Sequence, residues 1–203
     1  NYLDPLMKVK KQIGISLRDA DPLQKSRRSI IRKLLNKYGL ADEVEDYYPH
    51  QLSGGMARKV LLSTALASEC KVIIADEPTP GLDEASLNEV LKDFRELAAS
   101  NKAVLMITHD INAALRIADR ISIFYAGSTL ETARAGDFAG NGEGLRHPYT
   151  KALLRALPAG EFTAIEGSQP LPNEIPAGCS FYERCGERTQ HCKEEVPEFK
   201  ELR

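Results

Sequence analysis

Two adjacent carboxylates follow directly on a short apolar run in this chain. The run is Val72–Ala75, the carboxylates are Asp76 and Glu77, and Pro78 ends the segment. Such a run predicts a strand buried on both faces of a parallel sheet, and these sheets bind ligands at their carboxyl ends. Asp76 is suited to hold Mg²⁺ and Glu77 to orient a water, provided that the backbone turns between them. Alternatively, the acid pair only marks the point where the chain re-enters solvent.

A glycine-containing turn lies upstream of the acid pair, in Gln51–Met56. Ser53 can cap a helix that runs to about Ser68, while Gly54 and Gly55 allow backbone N–H groups to approach a ligand closely. The N-terminus of a helix is a favourable place for an anion. A Ser-Gly-Gly turn alone is common and mostly structural, so it indicates a ligand site only in combination with the acidic strand that follows.

A histidine follows the next apolar run of the chain. Ala103–Thr108 predicts a second parallel strand, and His109 stands at its end. A histidine at the end of a strand is usually unremarkable. Beside an acidic strand end, however, it can form a hydrogen bond with a terminal phosphate and hold the attacking water, which is the role that we expect here.

In their order and spacing, these motifs resemble the nucleotide-binding subunits of ABC transporters. By this resemblance the Ser-Gly-Gly loop is the signature, the acidic strand is Walker B, Gly81–Asp83 is the D-loop and His109 is the switch histidine. The implied roles are Mg²⁺ binding by Asp76, water activation by Glu77, γ-phosphate contact by His109, coupling of two sites by Asp83, and nucleotide binding in trans by Ser53, Gly54, Gly55 and Met56.

The resemblance also implies cofactors and partners. The cofactors are ATP and Mg²⁺. The partners are a second ATPase subunit in a homodimer or heterodimer, two membrane-spanning permease subunits and, indirectly, an extracytoplasmic solute-binding protein. The implied location is peripheral, on the cytoplasmic face of a prokaryotic cell membrane.

Residues 1–203 contain no phosphate loop of the form Gly-x-x-x-x-Gly-Lys-Ser/Thr, since no Gly-Lys pair occurs in them. In the family this loop and the Q-loop glutamine precede the helical subdomain, and Asn1–Met7 resembles the stretch just after the Q-loop. We therefore expect both elements upstream of Asn1, and no ATP hydrolysis by this chain alone. The expected fold class is α/β, a partial RecA-like ABC ATPase core with a parallel sheet and a helical subdomain, plus a small cysteine-containing C-terminal extension.

Three segments are expected along the chain. Residues 1–52 form the helical subdomain, residues 53–136 the ATPase core and residues 137–203 the extension, with a glycine-rich linker at Asp137–Gly144. In the first segment, Asp21-Pro22 predicts the start of a helix and Gly39 its end. The basic residues of this helix are interpreted as a solvated face: Lys25, Arg27, Arg28, Arg32, Lys33 and Lys37.

The tail narrows the resemblance to one branch of the family. Arg146–Pro158 predicts a short helix with a proline near each end. Together with Ile175–Phe181 and Arg184-Cys185, it resembles the C-terminal extension of ATPase subunits from oligopeptide, dipeptide and nickel importers.

Three cysteines lie close together in this extension, at positions 179, 185 and 192. Such a cluster favours metal or redox chemistry over disulfides in a cytosolic chain. By resemblance, Cys179, Cys185 and Cys192 could hold a [4Fe-4S] cluster, with a fourth ligand beyond Arg203 or at His191, because the cluster needs four ligands. Zinc held by three cysteines and His191 is the rival, although His191 adjoins Cys192 awkwardly. Three cysteines without any metal are an equally open alternative.

Composition limits the functional classes. The chain has 203 residues, a net charge of −2 and 28% charged residues, which gives no basic excess for nucleic-acid binding. Its apolar runs are far shorter than the roughly 20 residues of a membrane helix. The predicted function is the ATP-binding and hydrolysing subunit, in its C-terminal portion, of an importer of peptides, nickel or related solutes. The alternatives are a non-transport soluble ABC ATPase and a non-catalytic interaction fragment.

Overall fold

We describe a computed structural model of the chain, which consists of two compact units, residues 1–110 and residues 111–203. The structure describes residues 3–17, 24–67, 70–158, 160 and 162–198. Within these ranges, no helix is long and apolar enough to cross a membrane.

The first unit begins with a helical core. Helices α1 (Val9–Ser16), α2 (Gln24–Lys37) and α3 (Gly54–Ala67) pack against one another. Their contact surface is apolar, and the fully buried side chains include Val9, Ile13, Leu35 and Val60. The expected end of α2 is confirmed, because Gly39 follows it with a φ of +67°, a conformation that glycine adopts without strain. The predicted start at Asp21-Pro22 lies outside the described residues.

A buried carboxylate anchors α2 to the 3₁₀ turn Asp42–Asp46. The Glu45 side chain is 1% exposed, and its oxygens accept hydrogen bonds from the guanidinium groups of Arg28 and Arg32 over 2.6–3.1 Å. The interpretation of α2's basic residues as a solvated face is therefore wrong for these two arginines, because Glu45 lies under them.

Two parallel strands follow the helical core. Strand β1 (Val72–Asp76) pairs with β2 (Ala103–Ile107), with Asp76 opposite Ile107, and helix α4 (Glu84–Ala99) packs against β2. Ile73 is buried, whereas Val72 and Ile74, which point the other way, are 56% and 66% exposed. The expectation that β1 is buried on both faces is thus wrong within the described structure, since only one face of this pair is covered.

The second unit is built on a hairpin. Helix α5 (Ile111–Ile117) precedes strands β3 (Arg120–Tyr125) and β4 (Ser128–Arg134), which pair antiparallel around a turn with positive φ at Ala126 and Gly127. Helix α6 (Pro148–Ala156) contacts β4, and the short helix α7 (Gln190–Glu194) lies near the end of the described chain. These helices and strands agree with the expected α/β class.

The glycine-rich stretch between β4 and α6 is not an open linker, contrary to the expectation for Asp137–Gly144. It begins in a 3₁₀ turn, Ala135–Phe138, that places Phe138 at 4% exposure, and Leu145 just beyond it is fully buried. Gly142 has a φ of +69°, and a Cβ there would lie 2.7 Å from the Leu145 side chain. The glycines therefore allow a tight turn over an apolar cluster and do not provide a flexible spacer.

Candidate functional site

The backbone turns sharply between the two carboxylates at the end of β1. Glu77 has a φ of +45°, in the left-handed region that residues with side chains seldom adopt. Its N–H donates a 2.9 Å hydrogen bond to the carbonyl of Ile107 at the end of β2. This turn gives Asp76 and Glu77 different directions, which is the condition for two different roles.

Glu77 and His109 meet at this edge of the sheet. Oε1 of Glu77 lies 3.0 Å from Nδ1 of His109, and the two side chains are 39% and 77% exposed. The hydrogen bond and the negative charge of Glu77 raise the pKa of His109 above its ordinary value. Oε2 of Glu77 is buried and has no hydrogen-bond partner among the described residues. One carboxylate oxygen is thus held by the imidazole while the other remains able to accept a proton or a water.

Asp76 is the last residue of β1, and its side chain is exposed. Exposed carboxylate oxygen at a sheet edge is the ligand type that Mg²⁺ prefers, because this ion binds through one or two carboxylates and keeps several waters. The donor chemistry of Asp76 therefore fits Mg²⁺.

The turn after the acid pair is fixed by its own hydrogen bonds. Thr79 is buried and its carbonyl accepts from the N–H of Leu82, with Gly81 at a φ of +73° between them. Asp83 then caps α4, since its Oδ1 accepts a 2.8 Å hydrogen bond from the N–H of Ser86. This hydrogen bond also lowers the pKa of Asp83. Asp83 is thus at least a capping residue.

The Ser-Gly-Gly turn lies at the N-terminus of α3. Oγ of Ser53 accepts a 3.2 Å hydrogen bond from the N–H of Met56, so the predicted cap is confirmed. Gly54 and Gly55 are exposed, and open space lies where a Cβ would be on either residue. The Met56 side chain packs against the helical core. The backbone of the two glycines is therefore the accessible part of this loop.

One contact joins this helix to the turn after β1, and sequence analysis missed it. Nη2 of Arg58 donates a 3.2 Å hydrogen bond to the carbonyl of Pro80. No local pattern signals a contact between residues 22 positions apart, although Arg58 does follow the glycine turn closely in the sequence.

The three cysteines of the extension lie near one another, since the N–H of Cys179 donates a 2.8 Å hydrogen bond to the carbonyl of Cys192 and, besides burial, the charges of Cys185 and Cys192 help to raise the pKa of Cys179. Sγ of Cys192 lies 3.2 Å from Oγ1 of Thr189, whose hydrogen bond lowers the pKa of this thiol. Burial instead raises the pKa of Cys179, whose Sγ lies 3.9 Å from Nε2 of His147. Cys185 is half-buried.

The described residues contain no group of three or more His, Cys, Asp or Glu side chains arranged to hold a metal ion. His191, the candidate fourth ligand, lies 3.9 Å from a carboxylate oxygen of Glu195. A [4Fe-4S] cluster or a zinc ion at Cys179, Cys185 and Cys192 therefore stays a prediction, since either centre needs its ligands to converge on one point.

Comparisons with known proteins agree with the motifs. The ABC transporter family matches residues 1–80, and the family of the oligopeptide/dipeptide transporter C-terminal region matches residues 130–192. A dimeric bacterial ABC transporter cassette, MJ0796, shares the fold with a TM-score of 0.59 and 27% identity, over 66% of this chain and 59% of that one. The RecA-like expectation is thereby confirmed.

The curated relatives are also ATP-binding proteins of dipeptide and oligopeptide transport. The chain is 34% identical to the dipeptide transport ATP-binding protein DppD of Bacillus subtilis over 96% of its own length, and 39% identical to that of Escherichia coli over 85%. It is 36% identical to the oligopeptide transport ATP-binding protein AppD of Bacillus subtilis over 94%. The chain spans 54–60% of the length of these three relatives. The chain is thus similar to the ATP-binding proteins of ABC transporters, in the oligopeptide/dipeptide transporter branch.

Proposed function

We propose that this chain contributes the Walker B, switch and signature parts of an ATPase that powers the import of peptides. The observation that carries the proposal is the hydrogen bond between Glu77 and His109 at the joined ends of β1 and β2. The names of the relatives, which concern dipeptides and oligopeptides, favour peptides over nickel as the solute.

In the proposed chemistry, Glu77 is the group that orients and activates water. Its buried, unpartnered Oε2 is the available acceptor, while Oε1 is held by His109. His109 is 77% exposed, so its ring can reach a phosphate oxygen without leaving the site. Mg²⁺ would neutralise phosphate charge, and Asp76 would help to hold it.

The signature loop is proposed to act on the nucleotide of a second ATPase subunit. Ser53, Gly54 and Gly55 are all exposed at the N-terminus of α3, where backbone N–H groups and the helix dipole favour an anion. Met56 would contribute through its position in the turn, since its side chain packs on the helical core. Asp83 would couple the two sites through the turn that Arg58 contacts.

The proposed partners are a second ATPase subunit, two membrane-spanning permease subunits and, indirectly, an extracytoplasmic binding protein. The proposed place is the cytoplasmic face of the membrane. The proposed cofactors are ATP and Mg²⁺.

Steady-state ATP hydrolysis by the Glu77→Gln variant tests the proposal. It is measured on the 203-residue chain and, where the reading frame upstream of Asn1 encodes more protein, on that longer chain. General-base catalysis contributes about 10²- to 10⁴-fold, so we expect the longer chain to lose at least about a hundredfold in turnover. ATP-driven dimerisation should persist in the same variant.

The control is Glu43→Gln, which removes an exposed carboxylate from the helical core and should leave turnover unchanged. Undiminished hydrolysis by Glu77→Gln would remove the proposed role of this residue. Hydrolysis by the 203-residue chain alone would show that the active site lies elsewhere.

A further inference from the structure

A buried carboxylate that the proposed ATPase chemistry does not use lies on helix α4. Asp93 is 7% exposed, and its Oδ2 is buried without a hydrogen-bond partner among the described residues. The charged form of such a group is costly to bury, because no donor replaces the water that Oδ2 loses. Burial therefore favours the uptake of a proton by Asp93 in the folded chain.

A second buried group without a partner lies near Asp93. Tyr38 directly follows α2 and is 4% exposed, and its hydroxyl oxygen has no hydrogen-bond partner among the described residues. Burial, followed by the charge of Asp93, raises the pKa of Tyr38. Asp93 also interacts with this hydroxyl as an acceptor, although the two oxygens do not reach the geometry of a full hydrogen bond. A phenol and a protonated carboxyl can each donate and accept, so one proton on Asp93 would allow the two groups to satisfy each other.

Two further carboxylates lie on the same face of α4. Glu89 is four residues before Asp93 and Glu96 is three residues after it, which places the three side chains on one side of the helix. Glu96 forms an ion pair with Lys37 of α2 over 3.0 Å, and Glu89 forms one with Lys59 of α3 over 3.4 Å. Both lysines are thus bound to the outer carboxylates, and Asp93 between them has no ion pair with a described residue.

The remaining charges around Asp93 leave this balance in place. Lys92 is exposed at the neighbouring position of α4, and strand β2, which packs against this helix, consists of apolar residues. Burial is the largest cause that raises the pKa of Asp93 to about 6, while Lys37 and Lys92 oppose the rise and Glu96 and Glu89 add to it. We call these groups the Asp93 cluster: Lys37, Tyr38, Lys59, Glu89, Lys92, Asp93 and Glu96.

We propose that the Asp93 cluster binds one proton as the pH falls below neutrality, and that this proton tightens the contact between the end of α2 and α4. The neutral carboxyl of Asp93 pairs with the hydroxyl of Tyr38, so both buried groups are satisfied. Ionisation breaks this pair and leaves a buried negative charge between Glu89 and Glu96, so the contact loosens. All of these residues lie in the first unit and outside the proposed catalytic groups, so the proposal is independent of the ATPase activity.

The direction of the pH dependence follows from the raised pKa. Because the folded pKa of Asp93 lies above the ordinary value of 3.8, the contribution of the neutral form is fully present below 3.8. It is lost as the pH rises through about 6. This window lies above the one in which Glu45 acts, since the pKa of Glu45 is lowered from 4.5.

Carbon-13 NMR of the aspartate carboxyl groups measures the proton uptake in the whole 203-residue chain, with the Asp93 signal assigned through its backbone. We expect a midpoint near pH 6 in place of the ordinary 3.8. Glu96→Gln removes a negative charge and frees Lys37, so it should lower the midpoint, whereas Lys37→Met should raise it. Glu43→Gln is the matched control, because its exposed carboxylate lies in the 3₁₀ turn Asp42–Asp46 and should leave the midpoint unchanged.

Amide hydrogen exchange tests whether the proton tightens the contact. The reporters are the N–H of Tyr38, which donates to the carbonyl of Leu35, and the N–H of Ser100, which donates to the carbonyl of Glu96. With folded and unfolded pKa values of about 6 and 3.8, their protection factors should fall by about tenfold between pH 5 and pH 7.5. In Asp93→Asn, which cannot ionise, protection should stay nearly constant over this range.

Three results would overturn the proposal. The first is a midpoint of Asp93 near 3.8. The second is a shift of this midpoint in the same direction in Glu96→Gln and Lys37→Met. The third is an equal pH dependence of protection in wild type and Asp93→Asn. The side chains of Lys37 and Glu96 are 42% and 46% exposed, so their variants decide the proposal by titration even where Asp93→Asn does not fold.

Discussion

Replacing Glu45 by Gln should destabilise the helical core in a way that depends on pH. The carboxylate is 1% exposed and accepts four hydrogen bonds, two from Arg28 and two from Arg32. These hydrogen bonds, together with the two positive charges, lower the pKa of Glu45 from 4.5 to about 2, although burial opposes the change. The charged form of Glu45 is thus strongly favoured in the folded chain.

The size of the effect follows from this pKa. At about 1.36 kcal/mol per pKa unit, the change corresponds to an upper bound of about 3.4 kcal/mol in the free energy of unfolding. The side chains of Arg28 and Arg32 are 64% and 38% exposed, so water and salt screen their attraction for Glu45. We therefore expect Glu45→Gln to lower the free energy of unfolding by about 1–2 kcal/mol at pH 7.

The sign of the pH dependence is determined because the folded pKa lies below the unfolded one. The stabilisation is fully present above the unfolded value of about 4.5 and is lost as the pH falls toward 2. Urea unfolding followed by circular dichroism at pH 7, 5 and 3 measures it. The difference between wild type and Glu45→Gln should shrink to less than half of its neutral value at pH 3.

The matched control is Glu43→Gln in the same 3₁₀ turn, where the carboxylate is exposed. It should change the free energy of unfolding by less than about 0.5 kcal/mol at every pH. If Glu45→Gln were equally destabilising at pH 7 and pH 3, the charged hydrogen bonds would not be the source of the stability, and loss of packing would explain the effect instead.

Two further predictions concern the site and the core of the first unit. Glu77 raises the pKa of His109, so the ion pair between them should be complete below the ordinary histidine pKa and lost as the pH rises through the raised pKa. In the Glu77→Gln variant, an NMR titration of His109 should give a pKa closer to about 6.5. An unchanged titration would contradict the contact. Leu97 is 2% exposed, so Leu97→Ala should lower the free energy of unfolding in urea by about 2–5 kcal/mol. Leu87 is half-buried, so Leu87→Ala should lower it clearly less. Equal losses in the two variants would disprove the packing argument.

Features set by neighbours in sequence were predictable. The caps at Ser53 and Asp83 each depend on a residue and the backbone three positions later, so composition and spacing are sufficient to find them. The strands β1 and β2 were equally clear, because each is an apolar run between turn residues. The nearness of His109 to the acid pair was also predictable, because both stand at the carboxyl ends of these strands, whereas the hydrogen bond between His109 and Glu77 is seen only in the structure.

Features set by distant neighbours were not predictable. The arginines of α2 carry the pattern of a solvated face, and only the fold shows Glu45 beneath Arg28 and Arg32. Likewise, glycines at 140, 142 and 144 suggest a linker, although Phe138 and Leu145 on either side of them are buried. In both cases the sequence pattern describes the residues of the segment correctly but does not show which other part of the chain packs against that segment.

Two contacts of the candidate site depend on the register between β1 and β2. A residue with a side chain at positive φ costs about 1–3 kcal/mol, so the turn at Glu77 must be held by its surroundings. Ile107 holds the backbone of Glu77 through its carbonyl, and His109, two residues later, holds the carboxylate. A slip of one residue in β2 would remove both contacts together and reverse the faces of its side chains. The strained turn and the paired carboxylate therefore form or fail as one unit, which makes the register of this strand pair as important to the proposed chemistry as Glu77 itself.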